Sequence, residues 1–286
     1  MADTDLQAAV REQIEAAPIE REPFPHLVVA DFLPADFFAR LAETMPPVAD
    51  FQPDDDIKSN LRIEDRNKYF ARAPEEFRAV WARLRDEVIQ GVVAPVLARR
   101  LEDDIRAKFA ELFTPELADE VMRGGLVSNP GRIMARKPGY NLRPHSDSAH
   151  FAVTCLLYFT SAGEANSGAL CLYRPEREPE LRHTGTYYAE REEGIGVELA
   201  KAIPISGNLF VAFLNTPESI HGVRIKEGDA ATGDRLAYQV HVLPREDPRR
   251  SLDENLEKLE PGVPRTRWDG YLERRAEKLS RSSQKS

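Results

Sequence analysis

The sequence has few features that would place it outside the class of soluble globular proteins. It contains only two cysteines in 286 residues, Cys155 and Cys171, and both occur in strand-like apolar runs, which favours buried reduced thiols over a disulfide. No run of apolar residues approaches the roughly 20 needed to cross a membrane. Residues 1–18 lack the apolar core of a secretory signal, and the sequence has no internal repeat. We therefore expect a soluble cytoplasmic protein.

The sequence also lacks an excess of basic charge. It has 39 Lys and Arg residues against 48 Asp and Glu residues, a formal net charge of −9. A protein that binds nucleic acid through its phosphates presents positive charge to them, so nucleic acid is not expected as the main partner. With 42% hydrophobic residues, a chain of this length can bury a substantial core. Composition leaves the oligomeric state open.

The two halves of the chain differ in their apolar periodicity. The first half contains a short edge-strand pattern at 24–30, a helix that opens near Pro34 and ends near Met45, and helical periodicity over 74–113 that Pro95 interrupts. The second half contains short apolar segments separated by turn residues, at 132–136, 151–159, 169–173, 208–214, 222–225 and 235–243. This spacing is typical of an antiparallel sandwich or barrel.

From this change of pattern we predict one catalytic domain over residues 1–245, followed by a charged tail at 246–286. Within the domain, residues 1–123 form a helical support and lid, and residues 124–245 form the β core.

A possible metal site lies beside the predicted strand at 151–159. Alternation of side chains with period two places His145 and Asp147 on one face, roughly 6–7 Å apart along the chain. A third ligand must come from elsewhere, and His221 follows one strand-like run and precedes another. Two imidazoles and one carboxylate form the facial triad that holds non-haem Fe(II) and leaves positions open for chemistry. We predict His145, Asp147 and His221 as metal ligands and catalytic residues.

An ordered set of short motifs accompanies these ligands between residues 126 and 243. The motifs are Pro138-Gly139, Pro144-His145-x-Asp147, Ser167-Gly168-Ala-Leu170, Gly207-Asn-Leu-Phe210, His221-Gly-Val223 and a later Arg235. Together they resemble the superfamily of Fe(II)- and 2-oxoglutarate-dependent dioxygenases, most closely its prolyl-hydroxylase-like branch. The resemblance implies an α+β fold with a mainly β core, a double-stranded β-helix (jelly roll, cupin-like) with an N-terminal helical layer.

The same resemblance implies the chemistry. Such an enzyme uses Fe(II), with 2-oxoglutarate and O2 as co-substrates, to hydroxylate an unactivated C–H of an amino-acid, peptidyl or small-metabolite substrate, and it releases succinate and CO2. Related halogenases have a small residue where this chain has Asp147, so the sequence favours hydroxylation. The alternative is a cupin-like metal or sugar binding protein without turnover.

The resemblance also requires a cation for the far carboxylate of 2-oxoglutarate. Arg235 begins a strand-like run in which Arg235, Ala237, Gln239 and His241 share one face, and its planar fork can bind a carboxylate bidentately. Arg224 competes for this role but follows the metal ligand closely. We predict Arg235 as a catalytic and co-substrate-binding residue. Further co-substrate contacts are predicted at Tyr140, Arg136 and Gln239.

Other histidines are weaker candidates for metal ligation. His150 has the opposite parity from His145 and Asp147, His26 stands alone beside prolines, and His183 lies among charges.

Two polar segments, a loop at 50–68 and an insertion at 174–201, are predicted to border the mouth of the site. Arg66, Tyr187 and Tyr188 are the candidates for substrate contact there.

Overall fold

The computed structural model describes residues 3–53, 60–64, 72–112, 115–138, 140–148, 150–160, 168–179, 186–224 and 234–245. The helices are α1 (Asp3–Ala16), α2 (Ala35–Glu43), α3 (Glu75–Arg83), α4 (Ala94–Arg100), α5 (Glu102–Leu112), α6 (Pro115–Gly124) and α7 (Ala189–Glu193). A π-helical segment, Leu84–Val93, joins α3 to α4, and Val48–Asp50 form a 3₁₀ turn. Pro95 lies in the first turn of α4, next to the change from π-helix to α-helix, so the helical run changes type there but is not broken as predicted.

The strands form two antiparallel sheets. They are β1 (His26–Val29), β2 (Gln52–Pro53), β3 (Asn60–Glu64), β4 (Leu126–Ser128), β5 (Arg132–Arg136), β6 (Asn141–His145), β7 (Val153–Tyr158), β8 (Leu170–Pro175), β9 (Val197–Ile203), β10 (Leu209–Leu214), β11 (Ile220–Arg224) and β12 (Arg235–Pro244). The larger sheet has the order β1-β10-β7-β12-β5-β3-β2, with β4 also pairing β12, and the smaller has the order β6-β11-β8-β9. This is the predicted double-stranded β-helix with helices on one side.

The larger sheet buries both of its faces. One face packs against the helical layer, where Tyr238 and Val240 of β12 join Leu84 and Val88 of the π-helical segment in one apolar cluster. The other face meets the smaller sheet through a second cluster that includes Leu156, Val211 and Phe213 from one sheet and Leu170 and Leu172 from the other. The alternation in β12 therefore has the predicted polarity, because its apolar set contacts the helices.

Strands from the first half of the chain extend the larger sheet. β1 pairs β10 and forms the edge, as its sequence predicts. The prediction of an irregular loop at 50–68 is wrong in part, since β3 pairs β5 in register from Asn60↔Arg136 to Glu64↔Arg132. Residues 54–59 and 65–71 lie outside the described residues.

The prediction of an unbroken polar insertion at 174–201 is also wrong in part. The segment contains α7 and most of β9, which pairs β8 in register from Leu170↔Ile203 to Pro175↔Val197. β9 is an edge strand, and its residues 198–200 are exposed. An edge strand that buries little apolar surface carries no clear alternation in its sequence, and so the pattern resembled an insertion.

Both cysteines are free, with Cys155 buried in β7 and Cys171 half-buried in β8, as predicted. Within the described parts of the chain, no helix combines the length and apolar character needed to cross a membrane. The predicted tail at 246–286 lies outside the described residues, and the division of the chain into a support and a core stays a prediction.

Candidate metal centre

Two neighbouring strands of the smaller sheet bring two histidines together. His145 ends β6 and His221 is the second residue of β11, and the two are directly paired in the antiparallel register. Their ring centroids lie 4.4 Å apart. The next residue, Gly222, allows this close approach of the strands, because a Cβ there would lie 2.7 Å from the carbonyl oxygen of Leu142.

Both histidines hydrogen-bond through Nδ1 to a backbone carbonyl oxygen, which leaves the lone pair of Nε2 available for a metal. Nδ1 of His145 lies 2.9 Å from the carbonyl oxygen of Arg143, and Nδ1 of His221 lies 3.1 Å from that of Ser219. A carbonyl can only accept, so each Nδ1 carries the proton and each Nε2 presents its lone pair. This second contact is what fixes the tautomer of a metal-binding histidine.

Asp147 completes the triad. Its Oδ1 lies 3.7 Å from Nε2 of His145, and its Oδ2 lies 3.8 Å from Nε2 of His221. One ligand atom from each of the three residues lies within 4.8 Å of the others. Among the described residues, no other group of three or more His, Cys, Asp or Glu side chains meets this test. The triad therefore fits a single divalent ion, as the sequence predicts.

The protonation states also suit a metal. Burial, together with the nearby His221, lowers the pKa of His145 to about 4. Burial alone would raise the pKa of Asp147, but His221, His241 and His145 hold that pKa well below its usual value. At neutral pH the site thus offers a neutral His145 and an ionised Asp147, the forms that bind metal without first releasing a proton.

The triad lies in a cavity of about 300 Å³ between the two sheets. Its walls come from β5, β6, β7, β8, β11, β12 and the segment before α7. The lining residues are Arg132, Met134, Arg136, Tyr140, Leu142, His145, Asp147, Leu156, Tyr158, Leu170, Thr186, Tyr188, His221, Val223, Arg235, Ala237 and Gln239.

Arg235 supplies a buried cation to this cavity. Arg235 is the first residue of β12 and is 7% exposed. Nη2 donates to the hydroxyl of Tyr158 at 3.0 Å, and the guanidinium carbon lies 4.9 Å from the centre of the Tyr158 ring. Nη1 is buried and has no hydrogen-bond partner. A buried charged donor without a partner costs free energy. An anionic ligand that accepted from Nη1 would remove this cost.

The other predicted co-substrate contacts line the same cavity but are already engaged. Arg136 donates to the carbonyl oxygen of Leu61 at 3.2 Å and to Sδ of Met134 at 2.9 Å, and its guanidinium carbon lies 4.9 Å from the centre of the Tyr140 ring. Gln239 accepts from Nε of Arg132 at 2.7 Å. The roles of Arg136, Tyr140 and Gln239 stay predictions.

Rival residues are placed away from the triad or are not described. Nδ1 of His150 lies 2.7 Å from Oγ of Ser148, and His150 is outside the ligand group. His26 lies in the edge strand β1 with its Nδ1 2.8 Å from the carbonyl oxygen of Phe24. His183 and the side chain of Arg224 lie outside the described residues.

The segment before α7 reaches the cavity, as predicted for 174–201. Tyr187 and Ser146 exchange both backbone hydrogen bonds, at 2.9 and 3.0 Å. This pairing places Tyr188 beside the metal site, with its ring centroid 5.8 Å from that of His145. No described residue of 50–68 lines the cavity, and Arg66 is not among the described residues.

Sequence reasoning missed the surroundings of Asp147. Thr154 Oγ1 donates to Asp147 Oδ2 at 2.8 Å, and Nε2 of His241 lies 3.6 Å from the same oxygen. The alternation of β12 placed His241 on the inward face, but nothing in the sequence indicated its distance from Asp147.

No protein-family model and no curated protein matches the sequence. Solved structures similar to the chain include a prolyl hydroxylase from Trichoplax adhaerens in complex with a hypoxia inducible factor peptide fragment (TM-score 0.48, 12% identity, 87% of this chain and 94% of that chain covered). Others are a prolyl-4-hydroxylase from Pseudomonas putida (0.46, 15%, 84% and 100%) and HygX from Streptomyces hygroscopicus with nickel and 2-oxoglutarate bound (0.48, 14%, 82% and 87%). At this distance the similarity assigns neither substrate nor activity to the chain.

Proposed function

We propose that the protein is an Fe(II)- and 2-oxoglutarate-dependent dioxygenase that hydroxylates an unactivated C–H of an amino-acid, peptidyl or small-metabolite substrate. The proposal is supported by a single cavity that contains both a set of metal ligands and a buried arginine with an unpartnered donor. A triad of His145, Asp147 and His221 presents metal ligands at one end. A buried Arg235 with an unpartnered Nη1 lines the same cavity.

This pair of ends matches the chemistry of 2-oxoglutarate. The co-substrate is a dianion with a 2-oxo acid at one end, which chelates metals, and a plain carboxylate at the other. The plain carboxylate would bind Arg235, whose planar fork suits a carboxylate. A metal or sugar binding protein without turnover does not need a buried arginine, with one guanidinium nitrogen unpartnered, in the same cavity as its metal ligands.

The residues of the chain would hold and orient these groups. His145, Asp147 and His221 would hold Fe(II), which, when bound, supplies the coupled oxidation of 2-oxoglutarate and substrate by O2, with release of succinate and CO2. Tyr158 orients the guanidinium of Arg235 through its hydroxyl. Apolar side chains such as Leu156, Leu170 and Val223 line the cavity and would exclude water from the reacting groups.

The substrate would enter beside Tyr188. This side chain lines the cavity next to His145 and also lines a neighbouring surface hollow with Asn141, Arg143 and Arg191. An aromatic ring at the opening provides a wide contact surface at little conformational cost. We propose that Tyr188 selects the substrate, while the arginine end selects the co-substrate.

Succinate formation from 2-oxoglutarate tests the proposal. Protein loaded with Fe(II) under anaerobic conditions should release succinate on exposure to O2, and pools of amino acids, peptides and small metabolites should identify one that raises the rate. His145→Ala, prepared in the same way, is the control. If the protein binds metal but releases no more succinate than the His145→Ala control with any substrate pool, the result would support the metal or sugar binding protein instead.

A further inference from the structure

A third histidine, His241, lies against the carboxylate of the candidate metal centre. It belongs to β12 and is 5% exposed. Its Nε2 lies 3.6 Å from Oδ2 of Asp147 and is a buried atom without a hydrogen-bond partner. The two ligand histidines contact Asp147 at similar distances, so distance alone does not say what His241 does.

The tautomer separates His241 from the two ligands. The backbone N–H of His241 donates to Oδ1 of Asn129 at 2.7 Å, which fixes the orientation of this side-chain amide. The amide nitrogen, Nδ2, therefore faces Nδ1 of His241, at 3.2 Å. Because Nδ2 can only donate, Nδ1 must accept, and the proton of the neutral ring is on Nε2. His145 and His221 present a lone pair at Nε2, whereas His241 presents an N–H.

The ring of His241 is held in this orientation by Phe151 and by Asn129. Phe151 stacks on it with ring centroids 3.9 Å apart and an interplanar angle of 8°. Lys108 of α5 donates to the carbonyl oxygen of Phe151, so the helical layer supports the stack. Asn129 is fixed in turn by its own backbone N–H, which donates to the carbonyl oxygen of His241 at 2.9 Å.

The same carboxylate oxygen receives a donor from the neighbouring strand, where Thr154 of β7 is the cross-strand partner of His241. Thr154 Oγ1 donates to Oδ2 of Asp147 at 2.8 Å, and Nδ2 of Asn215 donates to Thr154 Oγ1 at 3.3 Å. Both donors therefore converge on Oδ2. Each oxygen also faces a ligand histidine, since Oδ1 lies 3.7 Å from Nε2 of His145 and Oδ2 lies 3.8 Å from Nε2 of His221, so the hydrogen bond from Thr154 is what distinguishes the two oxygens.

We propose that His241 is a positioning residue that donates Nε2–H to Oδ2 of Asp147 and so reserves Oδ1 as a single metal-binding oxygen. A carboxylate with Oδ2 engaged in this way binds the ion through one atom and leaves a further coordination position open. The bond forms when either side chain moves by about 0.5 Å, since N–H···O bonds are 2.7–3.2 Å long. This role rests on the proposed metal site.

Cobalt titration of three variants tests the role without turnover. His241→Phe keeps an aromatic ring for Phe151 to stack on but removes the donor, and it should weaken Co(II) binding about 10- to 100-fold, the usual loss for a residue that orients a metal ligand. His241→Gln places an amide N–H near the position of Nε2 and should restore affinity to within about threefold of wild type. His26→Phe, which replaces a buried histidine of β1, is the control and should bind Co(II) like wild type.

The visible spectrum of bound Co(II) adds a readout that a general loss of packing would not produce. In His241→Phe the freed Oδ2 can bind the ion as well, so the absorption should shift toward that of a higher coordination number, while His241→Gln should keep the wild-type spectrum. Nitrogen-15 spectra of histidine-labelled, Zn(II)-loaded protein should show His241 protonated at Nε2, with the signal assigned by its absence in His241→Gln.

The outcomes distinguish this role from the metal site itself. A wild-type protein that binds no Co(II) contradicts the proposed metal centre. Wild-type binding that is lost in His145→Ala but unchanged in His241→Phe keeps the centre and overturns the role of His241. A His241 protonated at Nδ1 also overturns it, because Nε2 would then present a lone pair and could not donate to Asp147. If His241→Phe does not fold, His241→Gln and the nitrogen-15 spectrum still decide.

Discussion

The two ends of the cavity bury charge in opposite ways. At the metal end the charge is the ionised carboxylate of Asp147 beside the neutral imidazole of His145. The buried lysine of the helical layer behind it, Lys108, has a pKa lowered to about 7 by burial, so it can lose its charge near neutral pH. At the other end Arg235, which proteins cannot neutralise, is buried and donates to the hydroxyl of Tyr158. The cavity therefore presents negative charge, which would bind a cation, at one end and positive charge, which would bind an anion, at the other.

The difference also shows how each end depends on its ligand. At the metal end both histidines and the carboxylate have hydrogen-bond partners within the protein. The arginine end retains an unpartnered donor. Loss of a metal ligand should therefore remove a whole site, whereas changes at the arginine end should alter affinity for one ligand only.

The largest effect is expected from breaking the metal end. His221→Ala removes one of three ligands, so Fe(II) or Co(II) binding and succinate formation should both be lost, as measured by calorimetric titration and by succinate release. The fold should persist, because His221 belongs to the cavity wall and not to the cluster that joins the larger sheet to the helices. Circular dichroism checks that point. His26→Ala is the matched control, and full iron-dependent activity in His221→Ala would contradict the triad.

The next largest effect is expected at the arginine end. Arg235→Ala should leave Fe(II) affinity nearly unchanged but raise the 2-oxoglutarate concentration needed for half-maximal succinate formation. Loss of one partner of a buried charge-assisted bond costs on the order of 2–5 kcal/mol, about 30- to several-thousand-fold in affinity.

Two further variants sharpen this test. Arg235→Lys keeps the charge without the fork and should fall between wild type and alanine. Arg174→Ala, at an exposed arginine paired with Glu22, controls for the loss of one positive charge. If the 2-oxoglutarate dependence of Arg235→Ala is unchanged, Arg235 does not bind the co-substrate carboxylate, and Arg224 becomes the candidate for that role.

A smaller effect distinguishes the two buried cations by pH. The pKa of Lys108 is about 7 in the folded protein, against 10.5 for an unperturbed lysine. Between these values the unfolded chain binds a proton that the folded chain does not, so the free energy of unfolding rises with pH by up to about 1.4 kcal/mol per unit. Urea unfolding of wild type and Lys108→Met from pH 7 to 8.5 measures this, and the variant should lack that part of the slope. Equal slopes would mean that Lys108 stays charged.

The sequence predicted the metal end better than its surroundings, for a physical reason. His145, Asp147 and His221 could be found because a metal restricts ligand types and because strand alternation predicted a shared face, although β6 ends at His145 and Asp147 lies beyond that strand. Arg235 followed from the same alternation together with the family resemblance. The pairing of Asn129 with His241 joins positions 112 residues apart, and no local pattern encodes such a contact.

The errors in the fold have a similar origin. β9 was missed because pairing with β8, and not an alternating apolar face, places it in its sheet. β3 does alternate, with Leu61 and Ile63 buried, but two apolar residues within a proline- and acid-rich stretch are too short a pattern to predict a strand. The helical layer and the strands β5, β7, β8, β10, β11 and β12 were predicted because their apolar periodicity matches the faces that they bury, whereas β4 and β6 were not predicted.

The smallest effect is expected from the hydroxyl that orients Arg235. Tyr158→Phe keeps the ring under the guanidinium and removes only the hydrogen bond to Nη2. A hydrogen bond of this kind contributes about 0.5–1.5 kcal/mol, so the 2-oxoglutarate concentration at half-maximal activity should rise about 2- to 10-fold. Iron affinity should not change, because Tyr158 is not among the metal ligands. Titration of 2-oxoglutarate into the Fe(II)-loaded variant measures the shift, and the double variant with Arg235→Ala tests its cause. If the hydroxyl acts only through the guanidinium, Tyr158→Phe should add nothing once Arg235 is gone.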